Sequence, residues 1–269
     1  MNSICCAIFC MMIIFPAHAE KIIIVAEDDW APYSSLKADK SGPQGLTPEL
    51  VTKAFKLKGI DVQYKTLPFT RCMYYTLIGK NVGCFNAAIT TENRNQYYWH
   101  SPPLFTEGVS VFAQANSTVN DVKIKDMEGK TVAYTIGYTY SPEILQNKRI
   151  KAFGAISDQH QLNMLAAGRI QYALINTTPG TLTINKDPAL RGKVKIVGHL
   201  SDDAFYIAFS KKHPDGKRLM QEFESGFEQL KASGEYSAMM QNFQKQYSLK
   251  SPAILTAASN NTSAKSPMR

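Results

Sequence analysis

One pattern limits the fold more than any other: short β-branched runs alternate with amphipathic segments that stop at a glycine, and this happens twice along the chain. Residues 21–26 (KIIIVA) read as a strand covered on both faces, as a parallel sheet requires. After a loop holding Trp30, Pro32 and Tyr33, Thr47-Pro48-Glu49 opens a helix with a capping hydroxyl and a first-turn proline. Leu50, Val51, Ala54, Phe55 and Leu57 carry that helix to a stop at Gly59. A strand over 61–66, a helix over about 71–78 stopped by Gly79, and a strand over 82–89 follow. The second round gives a strand at 131–135, a turn at Gly137, a helix over 159–167 stopped by Gly168, and a strand at 172–176. A strand at 205–209 and helices over 216–231 and 236–247, separated by Ser233-Gly234, complete the chain. Strands alternating with helices predict an α/β fold.

The ends are set apart by composition. Residues 1–19 hold no Asp, Glu, Lys or Arg, and their apolar run is about a dozen residues, short of the ~20 that span a bilayer. They read as a secretory signal peptide cleaved after Ala19, although the usual basic n-region is missing. Phe9 ahead of Cys10 speaks against lipid attachment. From 251 onward the chain is rich in Ser, Ala, Asn and Pro and is expected to be disordered. The remaining length, with 44% apolar residues, suffices for one large domain or two ordinary ones.

Removal of the leader takes Cys5, Cys6 and Cys10 with it and leaves Cys72 and Cys84 in an oxidising compartment. Whether they pair is open. If Cys72 begins a helix and Cys84 lies in the next strand, helix length alone would hold their Cα atoms beyond the ~7 Å limit for a disulfide. Two cysteines without nearby histidines make a poor zinc site, and no metal or cofactor is expected. The net charge of +8 comes from scattered Lys and Arg, which fits solvated basic faces and excludes a nucleic-acid partner from the expectations.

The order of motifs over residues 21 to about 249 resembles the family 3 solute-binding proteins that serve ABC-type amino-acid uptake. The resemblance rests on Glu27-x-x-Trp30-Ala31-Pro32-Tyr33, Gly45-Leu46-Thr47-Pro48-Glu49-Leu50, Leu77-x-Gly79, Thr91-Glu92-x-Arg94 with Ser101-Pro102, Gly129-Lys130-Thr131-Val132, Gly137, and Leu165-x-x-Gly168-Arg169-Ile170. Each motif alone is weak; in this order and spacing they are specific. The resemblance implies a two-lobed periplasmic-binding-protein fold (type II), with a ligand cleft between lobes joined by two hinge strands. Lobe 1 would take 20–105 plus 204–249 and lobe 2 would take 106–203, with the signal peptide at 1–19 and the tail at 250–269.

Residue by residue, the resemblance places Arg94 on the ligand's carboxylate, where a guanidinium offers paired donors. It places Trp30, Phe69 and Tyr33 where aromatic side chains stack on the ligand, and Glu27 at the ligand's polar end. Tyr138 and Thr139, after Gly137, would complete the anion site from the second lobe. Asn176 stands where related proteins carry the aspartate that pairs with an α-ammonium, and a neutral amide cannot make that ion pair.

The expected function is therefore a periplasmic receptor that captures a small carboxylate-bearing solute, an amino acid or related compound, by hinge closure and hands it to a membrane ABC permease. A ligand sensor acting on a membrane signalling receptor would use the same cleft. A periplasmic dehydratase on the same fold is the enzyme alternative, opposed by Asn176 and by the lack of a nucleophile elbow, zinc helix or phosphate loop. No enzyme activity is expected, and the chain is expected to be a monomer.

Overall fold

A computed structural model describes residues 20–27 and 29–247. The expected signal peptide, Asp28 and the tail lie outside the described residues. Among the described residues no helix is long and apolar enough to cross a membrane.

The first round of the pattern folds as read. β1 (Glu20–Glu27) leads through a small antiparallel sheet of β2 (Asp29–Trp30), β3 (Ser34–Leu36) and β4 (Pro43–Gln44) into α1 (Leu46–Lys56). β5 (Ile60–Leu67), α2 (Phe69–Leu77), β6 (Gly83–Ala88) and β7 (Tyr97–Trp99) follow. Two details differ from the sequence reading. The N-cap of α1 is Gly45, and the Thr47 hydroxyl donates instead to Asn86 Oδ1 at 2.7 Å. Ile23 of β1 is exposed, whereas Val25, two residues on and on the same face, is buried against Cys72 and Cys84.

β8 (Phe105–Gln114) then carries the chain across to the second round: β9 (Thr131–Thr135), α3 (Pro142–Leu145), β10 (Lys151–Ala155), α4 (Asp158–Ala166), β11 (Tyr172–Asn176) and α5 (Thr177–Lys186). The return path is β12 (Val194–Ser210), a 17-residue strand, before α6 (Gly216–Ala232) and α7 (Glu235–Gln246). Gly79 and Gly168, the predicted helix stops, have φ of 83° and 71°, a left-handed geometry that glycine adopts without a Cβ clash.

All the larger strands join in one nine-stranded sheet of order β10-β9-β11-β8-β12-β6-β1-β5, with β7 added to β12. β1 pairs in parallel with β5 and β6, and β9 with β10 and β11, so each half of the sheet is a parallel unit. The antiparallel pair of β8 and β12 joins the halves and makes the two crossover strands. In the β12-β6-β1-β5 half, Leu50, Phe55, Phe85, Phe209, Phe223 and Phe227 share one large core. In the other half, successive residues of one strand serve opposite faces. Val111, Val132 and Leu174 pack on one side, and Phe112, Ala133 and Ala173 on the other.

Cys72 and Cys84 form a disulfide, with Cα atoms 5.7 Å apart. Helix length does not separate them, because Cys72 sits only five residues, about 7.5 Å of rise, from the end of α2. The return loop then brings β6 back beneath the helix, and both cysteines pack on Val25.

Candidate functional site

The C-terminal end of β1 and the N-terminal end of α2 present the first-lobe side chains. Glu27 closes β1 with its side chain buried, and the Ser34 hydroxyl donates to its carbonyl at 2.6 Å, which fixes the chain as it turns into the loop. Trp30 lies in an aromatic stack with Tyr33, Phe105 and Phe205, centroids 4.7–6.2 Å apart. Phe69 is the first residue of α2.

From the second lobe, the turn after β9 reaches across. Gly137, with φ of 86°, lets the loop approach Thr70 at the start of α2, where a Cβ would stand 2.1 Å from Thr70 Cγ2. The next residue, Tyr138, meets Phe69 edge-on at 5.9 Å and donates its hydroxyl to Glu27 Oε1 at 2.8 Å. Burial pushes the Tyr138 phenol well above its ordinary pKa and the Glu27 charge adds to this, so the hydroxyl stays a donor at neutral pH. The lobes thus touch through a hydrogen bond and a ring contact.

Glu27, Trp30, Phe69, Tyr138, Thr139 and Asn176 line one interlobe cavity of about 20 Å³, room for one water. Six of the residues singled out in the sequence therefore converge. Asn176 ends β11, and its Nδ2 donates to the Gly108 carbonyl at 3.3 Å. Two larger spaces flank this cavity. One of 260 Å³ is lined by Glu27, Asp29, Phe69, Thr135, Tyr138 and Asp158. Asp158 opens α4, and burial raises its pKa to about 6, with Asp29 across the cleft contributing to the shift. The other space, of 550 Å³, lies beyond Thr139 and Asp203.

Arg94 belongs to that second space and not to the aromatic cavity. Thr90 and Asn93 hold each other through side-chain to backbone hydrogen bonds of 2.8 and 3.2 Å, and Arg94 N–H donates to the Thr90 carbonyl at 3.0 Å. This turn leaves the guanidinium exposed at the rim, across from Thr139–Glu143 of the second lobe. Tyr33 is a correction: its ring is stacked on Phe105 in the core, 1% exposed, and lines none of these spaces. Its hydroxyl donates to Glu107 on β8, which also accepts from Thr178 N–H at 2.8 Å in the first turn of α5. Glu107 thereby ties a crossover strand to both lobes, and burial raises its pKa.

Sequence reasoning missed Asp158, Asp203 and Glu107. Asp202 and Asp203 lie ahead of the strand read at 205–209, and nothing local marks Glu107 as a partner of Tyr33. Asn86 is buried, has φ of 63°, and lines the aromatic cavity. Among the described residues, no group of three His, Cys, Asp or Glu side chains is arranged to hold a metal ion.

The model of the bacterial extracellular solute-binding proteins, family 3, matches residues 22–246. No curated protein matches the chain by sequence. Among solved structures, a mutant of ArgBP from T. maritima is 20% identical, with a TM-score of 0.72 over 84% of this chain and 95% of that one. A histidine kinase sensor domain with similarity to periplasmic binding proteins is 19% identical, with a TM-score of 0.74 over 84% and 96%. The amino-acid ABC transporter substrate-binding protein AbpA from Streptococcus pneumoniae, bound to L-arginine, is 16% identical, with a TM-score of 0.70 over 86% and 97%. At these identities the structures establish the two-lobed fold.

Proposed function

The chain belongs to the bacterial extracellular solute-binding proteins of family 3, and from that membership we propose that it is a periplasmic receptor for a small carboxylate-bearing solute, an amino acid or a related compound, delivered to an ABC-type permease. The observation that carries this reading is the row of three interlobe spaces: an aromatic plate of Trp30 and Phe69 lines the middle cavity and the space on one side of it, and Arg94 lines the space on the other. The plate excludes water from the ligand's apolar part, and Arg94 offers paired donors to a carboxylate. Lobe 1 would comprise 20–105 with 204–249, lobe 2 would comprise 106–203, and β8 and β12 would bend between them. Tyr138 and Thr139 then complete the site when the second lobe closes.

The cleft is read as binding its ligand, not converting it, in keeping with relatives that are binding proteins or a sensor domain. Sensing for a membrane receptor is a second reading, favoured by the similarity to the histidine kinase sensor domain. Loss of labelled-ligand uptake on deleting the gene would support transport; unchanged uptake with altered kinase phosphorylation would support sensing.

The test of the receptor is a thermal-shift screen of amino acids, small carboxylates, amines and short peptides. A ligand at 100 times its Kd adds about 2.7 kcal/mol of stability. Arg94→Ala is expected to lose about 1.5–3 kcal/mol of binding to the best carboxylate by calorimetry. Unchanged affinity would remove Arg94 from the site, and no shift from any compound would remove the receptor reading.

A further inference from the structure

Two buried donors of the aromatic cavity have nothing to donate to. Trp30 is 3% exposed and Asn86 is 4% exposed; both line the cavity, and neither Trp30 Nε1 nor Asn86 Nδ2 has a hydrogen-bond partner among the described residues. Trp30 is packed among the rings of Tyr33, Phe105 and Phe205, and the Tyr33 hydroxyl is already committed to Glu107. Asn86 owes its place to the backbone. Where β6 pairs with β12, Phe85 stands opposite Ile207 and Ala87 opposite Tyr206, so Asn86 is an extra residue without a counterpart, and its φ of 63° is left-handed. A bulge of this kind re-aims a side chain beside a site. The buried Thr47 hydroxyl donates to Asn86 Oδ1 and so leaves Nδ2 as the unengaged end of the amide.

A desolvated N–H regains its lost hydration only from an acceptor, and the rest of the lining decides which acceptor. Among the described residues the cavity is lined by two carboxylates, Glu27 and Asp203, and by no Lys or Arg, which disfavours an anionic oxygen. A carbonyl oxygen would satisfy the two N–H groups and offer the carboxylates nothing. A hydroxyl accepts from an N–H and donates to a carboxylate at once. It is also the size of the space, about 20 Å³, room for one water. Ala88, Thr139 and Asp203 line both this cavity and the Arg94 space, so one solute can reach from one to the other.

We infer that the aromatic cavity is a hydroxyl subsite, in which Trp30 Nε1 and Asn86 Nδ2 donate to a hydroxyl oxygen of the solute. This deepens the receptor reading and rests on it: the solute class narrows to carboxylates that also carry a hydroxyl. The face of the Trp30 ring serves the apolar part of such a solute, and its N–H edge serves the oxygen.

Calorimetry on the full chain tests this with carboxylates that differ by one hydroxyl: serine and alanine, threonine and 2-aminobutyrate, tyrosine and phenylalanine, 4-hydroxybutyrate and butyrate. In at least one pair the hydroxylated member is expected to bind roughly 10- to 100-fold more tightly than its partner. Trp30→Phe keeps a ring and deletes the N–H, and Asn86→Gly suits the left-handed backbone and deletes the amide. Each is expected to narrow that gap by weakening the hydroxylated member alone. Equal weakening of both members, which a packing role would give, overturns the inference, as does an unchanged gap in both variants. If the variants fail to fold, the wild-type pairs decide alone. Members bound alike in every pair, the result for a cavity that holds a water, overturn the hydroxyl subsite and leave the receptor intact. Binding of no member of any pair overturns the subsite, and the receptor falls with it only if the thermal-shift screen is also silent.

Discussion

The two halves of the molecule contribute to the cleft in different ways. The half built on β12-β6-β1-β5 has one large aromatic core, a disulfide from α2 to β6, and cleft residues fixed at a strand end and a helix start. The half built on β10-β9-β11-β8 has two smaller, mainly aliphatic cores and offers Tyr138 and Thr139 from a turn. In the receptor proposed above, the first half would be a preformed plate and the second its cover. A binding site split this way would hold the stacking surface rigid and put the adaptable contacts on the part that approaches it.

The strongest challenge to that contrast is removal of the cross-link. Replacing both Cys72 and Cys84 with Ser is expected to cost about 3 kcal/mol, the value for a loop of this size, measured by denaturant unfolding. Hydrogen exchange should place the loss in α2 and β6 and leave β9 and β11 unchanged; a uniform loss would mean that the halves unfold as one unit.

Acid sharpens the contrast, because the two halves carry buried groups of opposite sign. His100, beside Phe223 and Phe227, has its pKa pushed down to about 3 by burial. Its Nε2 accepts from Ile207 N–H, and Nδ1 faces the Pro102 carbonyl, so the neutral ring is satisfied. A histidine with a lowered folded pKa contributes its full stability above pH 6.5 and loses it as pH falls toward 3, by about 2 kcal/mol at pH 5. Asp158 has a raised pKa of about 6, so the folded state takes up a proton first and stability rises as pH falls through 6. Exchange corrected for intrinsic rates should therefore show protection falling around Phe209 and Phe223 between pH 7 and 5, while Ala173 and Leu174 hold or gain. Parallel loss in both halves would break the comparison.

The smallest expected effect concerns the contact between them. Tyr138→Phe deletes the hydrogen bond to Glu27 and keeps the ring against Phe69, at a cost of about 1 kcal/mol. Small-angle scattering of the ligand-free protein should show a larger radius of gyration in the variant. An unchanged radius would mean that other contacts, such as the approach of Gly137 to Thr70, set the separation of the lobes.

Most of the architecture is legible in the chain because its parallel strands are short, β-branched and punctuated by glycine. The strands at Thr131–Thr135 and Tyr172–Asn176 are read to the residue for that reason. β12 is read only at its apolar end, since His199, Ser201, Asp202 and Asp203 give no strand signal; its pairing with β8 makes them one. The cleft is half legible. Glu27, Trp30, Phe69 and Tyr138 follow from motif position, whereas Tyr33 has the same aromatic signal and is diverted into the core by a carboxylate 74 residues away. Arg94 lines a cleft space at its rim, because the Thr90–Asn93 interactions that set its direction are local side-chain choices.

The crossover is continuous β-sheet, and its register shifts between Ile196 and Gly198 and again between His199 and Ser201. Such bulges bend and twist a strand without ending its pairing. In the hinge closure proposed above, such a joint would act as a leaf spring and not a pin, with rotation spread along two hydrogen-bonded strands and an arc limited by how far they twist before pairs break. That limit would filter cargo by size through backbone elasticity, independently of any side chain in the cleft.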